Sequence, residues 1–292
     1  MIRFLQQFVN GLSLGSVYAL MAVGYSLVYS IMNFSNFAHG GVIMVGAYIG
    51  FYALTGLGVS FPIAFILSGI GSGILAVIIE KLVYTPLRNR KAPFLYYIIS
   101  AMGASIFLEN LVVVTIGPTF KTYPEIFSAE PFHLGPITIG RIDLMVIAVA
   151  VVGLIALMII IDKTKIGLAI RAASYDMHGS LLMGINVDLV IFIVFLMGGL
   201  LAGFAGTLFG MKYTVYPQIG NITTKSFIAA VFGGLGSLPG AILGSVILGM
   251  LEVMTSAYIS SNYRDLIAFI ILIAVLVIKP SGLMGKPTED KA

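Results

Sequence analysis

Apolar runs and short polar stretches alternate along the whole chain. The runs cover Phe8–Met32, 41–57, 61–83, 94–117, 141–161, 189–210, 225–252 and 263–278, and a helix needs about 20 apolar residues to cross a bilayer. The pattern predicts an all-α integral membrane protein: a polytopic helical bundle of eight or nine spans in a single transmembrane domain over 1–292. Gly11, Gly15, Ala19, Ala22 and Ser26 give the first run a small-residue face suited to close helix packing. That run is too long for the apolar core of a signal peptide and lacks a small-residue cleavage site, so it is expected to stay as a span. Within 225–252 the glycines break the pattern. The piece 225–234 is too short to cross alone, which predicts a discontinuous or re-entrant span.

The longest polar interruption is Asp162–Asp188. It reads as two short helices, with Ile166, Ile170, Ala173, Met177 and Leu181 at steps of three and four forming one apolar stripe. Ser174 is expected to cap the second helix and Gly184 to end it through a left-handed turn. The result is a compact plug, whose stripe fits either a groove on a soluble partner or the headgroup layer of the membrane.

Composition agrees with the pattern: 59% of residues are hydrophobic and 10% charged, with mean hydropathy +1.06. The net charge of +4 does not point to nucleic acid. Ten of the sixteen basic residues (Lys81, Arg88, Arg90, Lys91, Lys163, Lys165, Arg171, Lys279, Lys286 and Lys291) fall on one side if the spans alternate. This positive-inside bias places 162–188 and the C-terminus in the cytoplasm and the N-terminus outside. Cysteine is absent, and the three histidines, His39, His133 and His178, sit in separate connections, so no metal site is expected. No hydrolytic constellation is present, and the chain is read as a non-enzyme. The only Gly-Lys pair is followed by Pro287, and GGLGSLPG at 233–240 lacks a lysine, so no cofactor is expected and any ATP belongs to another chain.

Two further features bear on transport. The bend NFSNFAHG concentrates Asn33, Ser35, Asn36 and His39, polar groups that either line a passage or cap helix ends. Sliding the chain by 188 residues superposes Gly11, Gly15, Tyr25, Asn33 and Gly46 on Gly199, Gly203, Tyr213, Asn221 and Gly234. That offset predicts an inverted internal repeat, and with it a second polar bend whose Asn221, Thr223 and Thr224 join Asn33, Asn36 and His39 as pathway residues. Glu109 and Glu252 are the candidates for proton or ion coupling, against a plain packing hydrogen bond for each.

GLSLGSVYALMAVGYSLVYSIMNFSNFAHGGVIMVGAY, RAASYDMHGSLLMGINVD, KSFIAAVFGGLGSLPGAILGSVILGMLE and KPSGLMGK together resemble the permeases of branched-chain amino-acid ABC importers, within the wider family of amino-acid, amide and urea importers. The resemblance implies a permease of the bacterial cytoplasmic membrane that moves small apolar amino acids inward. Its implied partners are a second related permease subunit, two ATP-binding subunits and an extracytoplasmic substrate-binding protein. Residues 162–188 then become the cytoplasmic coupling loop, with Gly167, Arg171, Asp176, Met177 and Gly184 as its coupling residues. The competing expectations are an ion-coupled secondary transporter with inverted repeats and an ABC permease for urea or short amides.

Overall fold

The computed structural model describes residues 2–124, 132–134 and 137–285. The elements are α1 (Ile2–Met32), α2 (His39–Thr55), α3 (Phe61–Ile79), a π-helical turn Glu80–Tyr84, α4 (Thr85–Asn89), α5 (Phe94–Ile116), β1 (Phe132–Leu134), β2 (Ile137–Ile139), α6 (Arg141–Lys163), α7 (Lys165–Tyr175), α8 (Met177–Leu182), α9 (Val187–Lys212), a 3-10 turn Pro217–Ile222, α10 (Thr223–Gly233), α11 (Leu238–Tyr258), a short 3-10 turn Ser261–Tyr263 and α12 (Arg264–Ile278). Among the described residues seven helices are long and apolar enough to cross a membrane, and α2 is a shorter apolar helix.

Most boundaries fall near the sequence-based expectation, and the differences have local causes. Helix α2 begins at His39 although Gly40 and Gly41 are poor helix formers. A Cβ on Gly40 would collide with the Gly220 carbonyl oxygen, and one on Gly41 with Leu108, so tertiary packing overrides propensity here. The helix that starts as α3 does not stop with the apolar run 61–83 but continues through the basic stretch to Asn89. Pro86 lacks a donor and its ring crowds the carbonyl four residues back, and the widened turn at Glu80–Tyr84 accommodates both, with the Thr85 N–H bonded to the Glu80 carbonyl.

The chain divides into two compact units: Met1–Ser26 with Glu125–Val151 and Thr224–Ala292, and Leu27–Pro124 with Val152–Thr223. In the first, α1 packs antiparallel on α11. A Cβ on Gly11 would lie 2.9 Å from the Met250 Cα, and one on Gly15 2.8 Å from the Val246 Cα. Helix α10 packs on α11 where Gly233 meets the Gly240 carbonyl. The hairpin of β1 and β2 pairs Phe132 with Ile139 and Leu134 with Ile137, and Gln6 ties it to α1 by exchanging hydrogen bonds with the Thr138 N–H (3.0 Å) and carbonyl (2.6 Å).

In the second unit α9 packs antiparallel on α3: Gly199 lies against Gly73 and Gly203 against the Ser68 carbonyl. Helix α2 packs on both, with Gly46 meeting Gly203 and Gly206 meeting the Ile43 carbonyl. Ser68 seals this contact by donating to Gly46 O (2.8 Å) or Gly203 O (2.9 Å).

The two units therefore exchange elements of one repeat. Taking α1, α2, α3 as one copy and α9, α10, α11 as the other, each first helix packs through a pair of glycines, offset by 188, on the third helix of the other copy. Within the first unit α10 runs antiparallel to α11, with Gly233 against Gly240 and Gly244 against Ala229. The broken segment expected at 225–252 is thus a short helix folded onto α11, which is long and apolar enough to cross a membrane by itself.

Candidate functional site

Residues 162–188 fold as two helices whose shape is set by a few named side chains. Thr164 caps α7, accepting from Gly167 N–H at 3.0 Å. Gly167 crosses the end of α6 so closely that a Cβ would strike the carbonyls of Ile160 and Ile161. Arg171 donates to the Ile161 carbonyl and pairs with Asp162 at 3.6 Å. Gly167 and Arg171 therefore fix α7 to α6. Asp176 caps α8 by accepting from His178 N–H at 3.0 Å. The cap expected from Ser174 is thus made by Asp176, because Ser174 lies inside α7 and its hydroxyl donates to the Arg171 carbonyl at 2.9 Å. Gly184, at φ +80°, closes α8 with its N–H on the Leu181 carbonyl and the Ile185 N–H on that of Ser180.

The expected apolar stripe is split. Ile170 and Ala173 are buried and Met177 is half-buried, whereas Ile166 and Leu181 are exposed. The most exposed apolar side chains are a different set, Tyr175 (85% exposed), Leu182 (77%) and Met183 (85%), with Leu181 beside them and Leu168 and Ile166 also uncovered on α7. The signal for it in the sequence is the run Leu181-Leu182-Met183 before Gly184. A helix-period reading passes over that run because α8 has only six residues and turns at its end.

The polar bends meet within the second unit. The 3-10 turn Pro217–Ile222 lies on the start of α2, where Gly40 touches both the Gly220 carbonyl and the Thr223 hydroxyl. Of the six expected pathway residues, Asn36, His39 and Thr223 are buried, and Asn33, Asn221 and Thr224 are exposed. The Thr223 hydroxyl has no hydrogen-bond partner among the described residues. Asn33 ends α1 in a left-handed conformation, φ +52°. Asn36 accepts from the Tyr84 hydroxyl at 2.6 Å. Asn36 and His39, with Val28, Ile79, Phe195 and Gly199, line a cavity with room for roughly one water molecule. An amino acid does not fit there in this conformation.

Two buried carboxylates are held by partners that no sequence spacing points to. Glu252 (2% exposed) accepts from Tyr18 at 3.0 Å and pairs with Lys225, also at 3.0 Å, while Lys225 reaches Asp265 at the same distance. Glu80 (1% exposed), which sequence reasoning passes over, accepts from Thr85 at 2.6 Å and pairs with Arg88 at 3.5 Å. The second candidate for ion coupling, Glu109, is half-buried on α5.

Among the described residues, seven helices long and apolar enough to cross a membrane, with polar bends at the helix breaks, define a multi-pass membrane protein. The family described as branched-chain amino acid transport system, permease component, matches residues 7–276. The high-affinity branched-chain amino acid transport system permease protein LivH of Salmonella typhimurium is 41% identical, over 99% of this chain and 98% of its own. Its Escherichia coli counterpart is 40% identical over the same shares. The corresponding protein BraD of Pseudomonas aeruginosa is 38% identical, again over 99% and 98%. A solved structure, PsaBC from Streptococcus pneumoniae in complex with Fab, has a similar fold: TM-score 0.52 at 15% identity, over 95% of this chain and 92% of that one. The chain belongs to the family of branched-chain amino-acid transport permeases.

Proposed function

We propose that this chain is the membrane-spanning subunit of an ATP-driven importer and carries branched-chain amino acids inward across the bacterial cytoplasmic membrane. The observation that carries the reading is the cytoplasmic tip: α7 is locked to α6 by Gly167 and Arg171, while Tyr175, Leu182 and Met183 stand uncovered at its end. A tip held rigidly at its base and apolar at its end transmits force from a docked partner. ATP-binding subunits on separate chains occupy it, two per complex, and a second related permease subunit completes the passage. An extracytoplasmic binding protein delivers the substrate from outside. Asn36, His39 and Thr223 form the inner part of the route, with Asn33, Asn221 and Thr224 at its exposed edges.

The ion-coupled reading loses ground on one observation. Glu252, its best carrier, is buried in an ion pair with Lys225 rather than standing free at a passage. The test is reconstitution in proteoliposomes with the ATP-binding subunits and the binding protein. Leucine uptake that requires ATP and survives collapse of ion gradients supports the importer. Uptake driven by a proton or sodium gradient without ATP contradicts it, and ATP-driven uptake of urea or a short amide in place of leucine reassigns the substrate.

A further inference from the structure

The π-helical turn between α3 and α4 is the one wide turn in the described helices, and it carries contacts at both ends. At one end Arg88 pairs with the buried Glu80 at 3.5 Å and with Asp188 at 2.7 Å. Asp188 is the last residue of the cytoplasmic loop and lies in the first turn of α9. At the other end the Tyr84 hydroxyl donates to Asn36 in the polar bend. The Tyr84 ring is fully buried among Phe34 (4.9 Å between centroids), Phe195 (5.6 Å) and Tyr97 (6.5 Å). Phe195 follows Asp188 by seven residues, two turns along the same face of α9. Helix α9 therefore grips this segment twice, once by an ion pair at its cytoplasmic start and once by an aromatic contact deeper in.

Close-packed side chains have no slack, so such a segment moves as a block between discrete positions rather than deforming. A displacement of the 162–188 loop reaches Asp188 along the backbone and then reaches Arg88. From there the short helix Thr85–Asn89 and the π-turn lead to Tyr84, and Tyr84 holds Phe34 and Asn36. A π-turn is a natural place for this, because its extra residue can be taken up or released without unwinding the helix on either side.

We propose that the segment Glu80–Arg88 is the lever that couples the cytoplasmic loop to the polar bend, with Asp188–Arg88 as its input and Tyr84–Asn36 as its output. The proposal rests on the reading of 162–188 as the docking site of the ATP-binding subunits and of Asn36 as part of the route. Arg88, Asp188 and Tyr84 are positioning residues, and none of them needs to touch substrate.

The experiment uses the reconstituted complex and reads substrate uptake per ATP hydrolysed, beside co-purification of the ATP-binding subunits. Asp188→Asn removes the input charge at an exposed site, and Tyr84→Phe removes only the output hydroxyl. Both are expected to retain the ATP-binding subunits and to hydrolyse ATP, yet to lower uptake per ATP by about tenfold, the usual size of a coupling between sites. Asp188→Glu, which keeps the charge, is expected to behave as wild type. Unchanged uptake per ATP in Asp188→Asn overturns the lever, as does an equal loss in Asp188→Glu. Should Tyr84→Phe fail to assemble, the two Asp188 variants decide alone. A wild-type permease that retains no ATP-binding subunits overturns the docking reading instead, a result distinguishable from either of these.

Discussion

At the residue scale the cost of a buried charge governs the outcome. Glu252 keeps its carboxylate inside α11 because Lys225 and Tyr18 reach it. Removing one partner of a buried pair costs about 3–5 kcal/mol, since the other charge is left uncompensated. Lys225→Met is therefore expected to lower the unfolding midpoint of the purified permease sharply. Lys225→Met with Glu252→Gln is expected to recover most of the loss, which thermal unfolding in detergent measures. A single variant as stable as wild type contradicts the pairing. Glu252 is visible in the sequence as an intramembrane carboxylate, but Lys225 is 27 positions away on another helix, and no periodicity joins them. Outside the spans, Tyr123 donates to the Ala47 carbonyl at 2.8 Å, and burial pushes its phenol well above the ordinary range despite its bond with Thr207. It stays a neutral donor over the physiological range, and Tyr123→Phe is expected to cost about 1 kcal/mol of stability.

At the element scale the glycines decide which helices can meet. Gly15 and Gly249 bring α1 and α11 to backbone contact, so Gly15→Val is expected to destabilise the first unit, seen as a lower yield of folded permease in size-exclusion chromatography. Wild-type yield counts against the close approach. The small-residue faces were legible in the sequence, and so was the 188-residue offset. Which helix each face meets was not, because the partners belong to the opposite copy of the repeat. The cytoplasmic helices show the same limit. Gly184 is readable as a C-terminal stop from its type and position, and the structure gives it φ +80°. The sequence pattern assigns the cap to Ser174 although Asp176 holds it, since both residue types cap well and only the end of α7 at Tyr175 separates them.

At the scale of the whole molecule the distribution of basic residues predicts the N-terminus outside and the C-terminus inside. With the basic residues inside, an N-terminal tag is expected to be cut by protease added outside and a C-terminal tag to be protected. Two tags cut from the same side contradict that orientation. Most of the apolar surface of α5, α6 and α12 is uncovered, as suits helices that face lipid. The spans were legible because an apolar run of about twenty residues matches the thickness of a bilayer. The surface that meets a partner was not, because exposure depends on how α7 and α8 fold back, and the stripe Ile166, Ile170, Ala173, Met177 and Leu181 mixes buried with exposed positions.

The central claim is that the tip formed by Tyr175, Leu182 and Met183 docks into the ATP-binding subunits. Leu182→Glu tests it most directly, because Leu182 is 77% exposed: a carboxylate there costs almost nothing facing water and several kcal/mol if an apolar groove closes over it. Met177→Glu is less clean, as Met177 is half-buried within the loop itself. Measured at matched expression, Leu182→Glu is expected to leave the permease folded in the membrane while abolishing both co-purification of the ATP-binding subunits and ATP-driven leucine uptake. Normal co-purification and uptake in that variant contradict docking at this surface.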